Sequence, residues 1–327
     1  MHKITSVIKV LFGTTAHKYP FFFVLKTLRM LITTASPFIP LFISPLIVDE
    51  IVGDRDIRKL ITLAAILIIS EIVLQVLGDI CSNYINRYAT RIERYFNILI
   101  GRHVMELDFQ LTEDKEALEQ IEKATTGMDW YSGGVNGVSE QFFGFLSNLL
   151  KAAGFITLLT IYAPILLLVM VVYTMFNALL SIKCNKIGIE AFSKLSKVNR
   201  LFGYFGWNIV DPRYAKDIRL YDAKDMMVDS WRENTAKSNS HWKWQGDTCY
   251  PYNLAMETLG IARSLFAIFY VALLAIRKVI GVGTFTQLIA AEGGLNNAIG
   301  GMVGNVTELI KRCNYAYEYI VFMNYPE

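Results

Sequence analysis

The chain has 327 residues, of which 53% are hydrophobic, 13% are aromatic and only 19% are charged, and its mean hydropathy is +0.35. This composition excludes an ordinary soluble domain and predicts an integral membrane protein. The net charge of +3 is modest and the basic residues lie in blocks between apolar runs, so the sequence does not favour nucleic acid as a partner. Four scattered cysteines with no C-x-x-C pair indicate neither a zinc site nor a disulfide framework.

The N-terminal segment, residues 1–18, has a basic start followed by apolar residues at helical spacing. Ile4, Val7, Ile8 and Leu11 fall on one face of a helix rather than in the continuous apolar core of a signal peptide. We therefore expect an interfacial helix that lies on the lipid bilayer.

Six apolar runs are long enough to cross the hydrocarbon of a bilayer, which needs about 20 helical residues. The first run contains Pro37, Pro40 and Pro45, which a membrane helix tolerates where its neighbours satisfy the freed carbonyl groups. The sixth run is rich in glycine. The predicted spans are residues 21–48, 60–78, 142–162, 164–181, 254–275 and 285–310.

The links between these spans are strongly unequal in length. Three are short, and two are long, covering residues 79–141 and 182–253. Lys and Arg number six in the first long segment, twelve in the second and five in all the short links together. The positive-inside rule therefore predicts that both long segments and both termini are cytoplasmic. The predicted fold class is an all-α plasma-membrane protein with six transmembrane helices and long cytoplasmic helical extensions.

The two long segments have the pattern of helices rather than of loops. Residues 79–108 contain no proline, and their apolar and aromatic residues recur every three or four positions. Residues 182–210 repeat this pattern after the fourth span. The periodicity predicts that the second and fourth spans continue as helices into the cytoplasm.

Charge concentrates where each long segment must turn back toward the membrane. In the first segment this turn is "LTEDKEALEQIEKA", residues 111–124. The negative charge of Asp114 is favourable at the N-terminus of a helix, which is the positive end of the helix dipole. Leu118 and Ile121 make a small apolar face.

The second turn is "DPRYAKDIRLYDAKDMM", residues 211–227, which carries eight charges, four of each sign. Asp211 is predicted to cap a helix over residues 212–222. Such a helix suits a groove on another protein domain, whereas the simpler alternative is a solvated charged turn. The predicted apolar face consists of Tyr214, Ile218 and Tyr221.

Several polar residues fall within the predicted spans, where they are costly and therefore indicate function. They are Glu71, Lys151, Arg263, Glu292, Asn296 and Asn297. One interpretation is a hydrophilic translocation cavity, and the other is a pairing such as Arg263 with Glu292 that aligns two helices. Both stay open. Lys26 and Arg29, at the cytoplasmic end of the first span, are expected to extend toward water.

The order and spacing of these elements over all 327 residues resemble the transmembrane domain of a type I ATP-binding cassette exporter, in particular the peptide and bacteriocin exporters of Gram-positive bacteria. "YAKDIRLYDAKDMM" (214–227) is similar to the second coupling helix and its exit. "IGVGTFTQ" (280–287) is similar to the outer turn that enters the sixth span. "YAYEYIVFMNYPE" (315–327) is similar to the tail that leads into the nucleotide-binding domain.

The resemblance implies a permease half that alternates between inward- and outward-open states and works with a second, identical or different, half. A nucleotide-binding domain is expected after residue 327 or as a separate subunit, and ATP and Mg²⁺ are expected there. This chain has no G-x-x-x-x-G-K-[ST] phosphate loop, so we expect no catalytic site, cofactor or metal in it. The implied cargo is a peptide or an amphipathic or hydrophobic compound.

The same resemblance implies which residues contact the ATPase domain. They are Asp114, Lys115, Glu116, Leu118 and Ile121 in the first turn, and Tyr214, Lys216, Asp217, Ile218, Arg219 and Tyr221 in the second. Two alternatives remain. A non-transporting sensor or regulatory subunit could share this fold, and a secondary transporter could also have six spans, although it would be expected to show inverted repeats and helix breaks at the midplane.

Overall fold

The computed structural model describes residues 2–129 and 132–326, and every regular element in this part of the chain is a helix. The helices are α1 (His2–Val7), a π-helical turn (Ile8–Phe12), α2 (Gly13–Lys18), α3 (Pro20–Ala35), α4 (Phe38–Val52), α5 (Ile57–Glu106), α6 (Phe109–Glu113), α7 (Lys115–Met128), α8 (Gly134–Tyr162), α9 (Pro164–Val210), a 3₁₀ turn (Pro212–Tyr214), α10 (Ala215–Leu220), α11 (Lys224–Ile276) and α12 (Val282–Phe322). The predicted all-helical class is confirmed for this part of the chain.

The helices form two compact units. Unit 1 contains Met1–Pro164 and Tyr270–Glu327, and unit 2 contains Ile165–Phe269. Unit 2 is a hairpin of two very long helices, α9 and α11, joined through α10.

Among the described residues, five helical segments are long and apolar enough to cross a membrane. They are Pro20–Val52, Ile57–Glu106, Gly134–Tyr162, Pro164–Gly188 and Lys224–Ile276, and they contain the first five predicted spans. The sixth predicted span lies in α12, a continuous helix of 41 residues that is not among the five. The glycines, asparagines and two glutamates of this predicted span lower its hydropathy, so the six-span topology stays a prediction.

The first predicted span is two helices rather than one. α3 ends at Ala35 and α4 begins at Phe38, with Ser36 and Pro37 between them. Ser36 and Pro37 keep right-handed helical backbone angles. Pro37 has no N–H, so it cannot continue the hydrogen-bond ladder of α3. Pro45 lies inside α4, which continues through it.

The helical extensions are continuous, as the periodicity predicts. α5 has 50 residues, α9 has 47 and α11 has 53. At 1.5 Å per residue these helices are roughly 70–80 Å long, more than twice the ~30 Å thickness of bilayer hydrocarbon. The side chains at positions 189 and 192–203, which carry much of the apolar pattern predicted for α9, lie outside the described part of the chain.

The apolar face of the N-terminal segment is covered by protein. Val7 and Leu11 are fully buried, and Ile4 packs against the same core cluster, which includes Cys313 and Ala316 of α12. The face predicted to lie on the membrane therefore packs within unit 1.

α8 and α12 pack antiparallel along one seam whose positions are seven, four and seven residues apart on each helix, the spacing of heptad packing. At each level a glycine of one helix faces a large side chain of the other. The pairs are Gly137 with Arg312, Gly144 with Asn305, Asn148 with Gly301, and Phe155 with Gly294. Two of the large side chains, Asn148 and Asn305, are polar amides inside unit 1.

Candidate functional site

The second turn begins with the cap that the sequence predicts. The Asp211 carboxylate accepts a hydrogen bond from the Arg213 backbone N–H at 3.0 Å. The Arg213 guanidinium also donates to this carboxylate, with Nη2 at 2.6 Å from Oδ2. This guanidinium holds the pKa of Asp211 below its ordinary value.

The helix that follows is shorter than predicted. It starts as a 3₁₀ turn, Pro212–Tyr214, and α10 ends at Leu220 rather than at residue 222. Asp222 adopts a left-handed conformation with φ of 50°, and the backbone N–H of Ala223 donates to the carbonyl of Ile218 at 2.9 Å. This turn ends α10.

Six large apolar side chains on and beside α10 are exposed, and we call them the α10 tip. They are Trp207, Val210, Tyr214, Leu220, Tyr221 and Met226. Leu220 and Tyr221 are 76% and 77% exposed. Of the predicted face, Tyr214 and Tyr221 are exposed but Ile218 is half-buried within the chain. The predicted charged residues, Lys216, Asp217 and Arg219, are exposed.

The first turn contains α7, which begins at the predicted charged end. Asp114 Oδ2 accepts a hydrogen bond from the Ala117 backbone N–H at 3.0 Å. Beyond this cap, one face of α7 packs against α12 of the same chain. Gln120 Nε2 donates to the Glu318 carbonyl at 3.1 Å and to Glu318 Oε2 at 3.0 Å.

This packing covers one face of α7 and leaves the other face exposed. Ile121 is half-buried against the core cluster of unit 1, whereas Leu118 is exposed. Lys115 and Glu116 are also exposed. The α10 tip therefore presents far more apolar surface than the first turn.

The predicted intramembrane residues differ in how far each one is buried, and the translocation cavity stays a prediction. In unit 1, Glu292 is 4% exposed, Glu71 and Asn296 are half-buried and Asn297 is exposed. Among the described residues no hydrogen-bond partner lies near Glu71 Oε1.

Arg263 belongs to unit 2, where it is buried. Its guanidinium lies over the Tyr173 ring, 4.6 Å from the centroid, and Nη2 donates to Ser264 Oγ at 3.3 Å. Glu292 belongs to unit 1, so the predicted pairing of these two residues stays a prediction.

Lys151 lines a cavity of about 310 Å³ in unit 1, which we call the polar cavity. Its walls come from α3, α8 and α12. Its charged and amide residues include Lys26, Arg29, Glu140, Asn148, Lys151 and Asn305. Lys26 is only 3% exposed, so the expectation that it extends toward water is wrong.

Sequence reasoning missed the polar cavity although a local signal for it exists. Glu140, Ser147 and Lys151 line it at spacings of seven and four on α8, which places them on one helix face. Lys26, Arg29 and Thr33 line it at spacings of three and four on α3. Each pattern shows a polar face, but neither shows that the two faces meet.

Comparison with known proteins found no matching family model and no matching curated protein. A function for this chain is therefore inferred from its long helices, the α10 tip and the polar cavity.

Proposed function

We propose that this chain is the membrane-spanning half of an ATP-driven exporter, and that the α10 tip docks on an ATPase domain. The observation that carries the proposal is the α10 tip itself, which joins helices of 47 and 53 residues and exposes large apolar side chains. A stiff helix transmits a displacement at one end to the other, which a loose loop does not.

The composition of the tip supports docking rather than simple solvation. Burying a Leu or a comparable large apolar side chain gains roughly 1.5–3 kcal/mol. Contiguous exposed apolar surface rimmed by polar residues marks an interaction site in soluble regions of proteins. Lys216, Asp217 and Arg219 supply such charges beside the apolar residues, where they contribute specificity more than affinity.

The proposal includes a second transmembrane half. Many apolar side chains are exposed along both helices of the unit 2 hairpin, among them Leu168, Met175, Ile261 and Leu265. Lipid and a second half together would cover these side chains. A single half with one such hairpin leaves a translocation pathway incomplete. Coupling to ATP also requires that the docked ATPase domain favour one of the two states, inward-open or outward-open, over the other.

The test replaces Leu220 and Tyr221 with alanine in the complete protein, purified from its own membrane together with any associated ATPase and reconstituted in proteoliposomes. Truncating two central contacts of an interface costs about 2–4 kcal/mol, a roughly 30- to 1000-fold loss of docking affinity. We expect insertion and yield to be unchanged and cargo-stimulated ATP hydrolysis to fall to the basal rate.

The control is Tyr250→Ala, because Tyr250 is 64% exposed on α11 but lies away from α10. It should behave as the unmodified protein, while Tyr221→Ala alone should reduce coupling. Normal ATP-dependent transport by the Leu220→Ala, Tyr221→Ala variant would refute docking at this tip. Transport that continues without any ATPase would instead identify a secondary transporter.

A further inference from the structure

The polar cavity contains more positive than negative charge. Three cationic side chains, Lys26, Arg29 and Lys151, line it together with a single carboxylate, that of Glu140. Lys26 and Arg29 come from α3 and the other two residues from α8. The cavity therefore carries a formal excess of positive charge within the packed helices of unit 1.

The cations in this cavity have no anionic partner among the described residues at ion-pair distance. Lys26, Arg29 and Lys151 make neither an ion pair nor a hydrogen bond with a described side chain or backbone group. The Lys26 ammonium lies 5.5 Å from the centroid of the Phe22 ring, and it is attracted by the charge of Glu140 and repelled by that of Arg29. Lys26 is buried, whereas Arg29 and Lys151 are half-buried. Removing a cation such as Lys26 from water costs several kcal/mol unless an anion or hydrogen-bond acceptors compensate it.

The remaining lining makes the cavity suitable for a charged group attached to an apolar body. Asn148 and Asn305 each offer an amide with two donors and one acceptor. Met30 and Phe143 add apolar surface to the same cavity. The volume of about 310 Å³ falls at the lower end of the range typical of small-molecule sites.

We propose that the polar cavity binds the anionic oxygen group, a carboxylate or a phosphate, of an amphipathic molecule. Lys26, Arg29 and Lys151 donate to the oxygens, and Glu140 limits the charge excess when the site is empty. Charge-assisted hydrogen bonds from Lys and Arg to such oxygens are stronger than neutral ones. If the chain is an exporter, this site selects cargo with an anionic head; binding itself does not depend on that function.

The experiment measures equilibrium binding to the full chain in phosphatidylcholine nanodiscs by isothermal titration, with empty nanodiscs subtracted. The probes are dodecyl phosphate, dodecanoate and dodecyltrimethylammonium, which share the alkyl chain and differ in the head group. We expect both anions to bind saturably and the cation not to bind. Equal binding of all three probes, or no binding of the anions, would overturn the proposal.

Variants locate the binding in this cavity. Lys26→Met and Lys151→Met should each weaken dodecyl phosphate binding about tenfold to a hundredfold. Lys186→Met is the control, because Lys186 is exposed on α9 and does not line the cavity; its affinity should be unchanged. If the lysine variants fail to fold, Glu140→Gln still tests the site, since removing the negative charge should tighten anion binding. Unchanged affinity in Glu140→Gln and the lysine variants would refute the assignment.

A second arm identifies the source of the anion. Phosphatidylglycerol added to the nanodiscs should compete with dodecyl phosphate if the cavity binds the phosphate of a membrane lipid. It should not compete if the cavity binds only the anionic group of a transported molecule. Either result supports an anion site. Because this binding requires no ATPase, it can fail while the α10 tip still couples hydrolysis, or succeed where coupling fails.

Discussion

Replacing Gly127 with leucine is expected to detach α7 from α12. A β-carbon at position 127 would collide with the backbone carbonyl of Tyr315, and it would also approach the backbone of Ala316. Backbone cannot rotate away as a side chain can, so the helices must separate. Overpacking of this kind costs about 3 kcal/mol or more, and the Gln120–Glu318 hydrogen bonds would be lost with the contact.

The thiol of Cys313 reports this separation. Cys313 is fully buried in the core cluster that also contains Ala124 and Met128 of α7. Burial raises the pKa of its thiol from 9.0 to about 11, so at neutral pH almost all of it is the unreactive protonated form. Exposure should return the pKa toward 9.0 and increase the thiolate fraction about a hundredfold. The measurement is the rate of alkylation by a soluble maleimide when Cys313 is the only cysteine retained.

Gly101→Leu is the matched control, because no heavy atom lies within 4 Å of a β-carbon built at Gly101. Its alkylation rate and its thermal stability should match those of the unmodified protein. Slow alkylation of Cys313 in both variants, with unchanged thermal stability in Gly127→Leu, would show that α7 does not need this close approach.

Replacing Gly283 with leucine is expected to separate α12 from α4 at the first turn of α12. The Gly283 backbone N–H donates to Asp49 Oδ1 at 2.7 Å, in the first turn of α12, where the helix dipole favours a negative charge. A β-carbon at position 283 would collide with both the Asp49 carboxylate and the Pro45 carbonyl oxygen. We expect a loss of about 3 kcal/mol, seen as a lower unfolding temperature in detergent and a smaller yield of monodisperse protein.

Two further variants show whether sterics or charge causes the effect. Asp49→Asn keeps a hydrogen-bond acceptor and removes the charge, so it should cost only about 0.3–1 kcal/mol. Gly293→Leu makes the same change in α12 at a position with no neighbouring heavy atom within 4 Å, and it should be tolerated. If Gly283→Leu is as stable as Gly293→Leu, the α4–α12 contact does not require glycine.

The sequence predicted the second turn well and its exposed face only in part. The Asp211 cap is a local hydrogen bond, so residue type and spacing were enough to identify it. The prediction of the exposed face was wrong for Ile218, which is half-buried. The reason is that the segment begins as a 3₁₀ turn, which has 3.0 residues per turn rather than 3.6. The left-handed Asp222 then ends the helix early, and Leu220, the last residue of α10, and Tyr221, which follows it, are highly exposed.

The sequence by itself determined the helical class, the apolar segments long enough to cross a membrane, and the continuity of the long helices, because hydrophobic periodicity and proline are local properties of the chain. Only the tertiary structure decided that one face of α7 packs against α12, and that Lys26 and Lys151 line the same cavity. These contacts join residues far apart along the chain. Which helices pack together depends on how closely their axes approach, and glycines such as Gly144 and Gly301 allow a close approach. The residue pattern within one helix does not reveal the distance to a neighbouring helix.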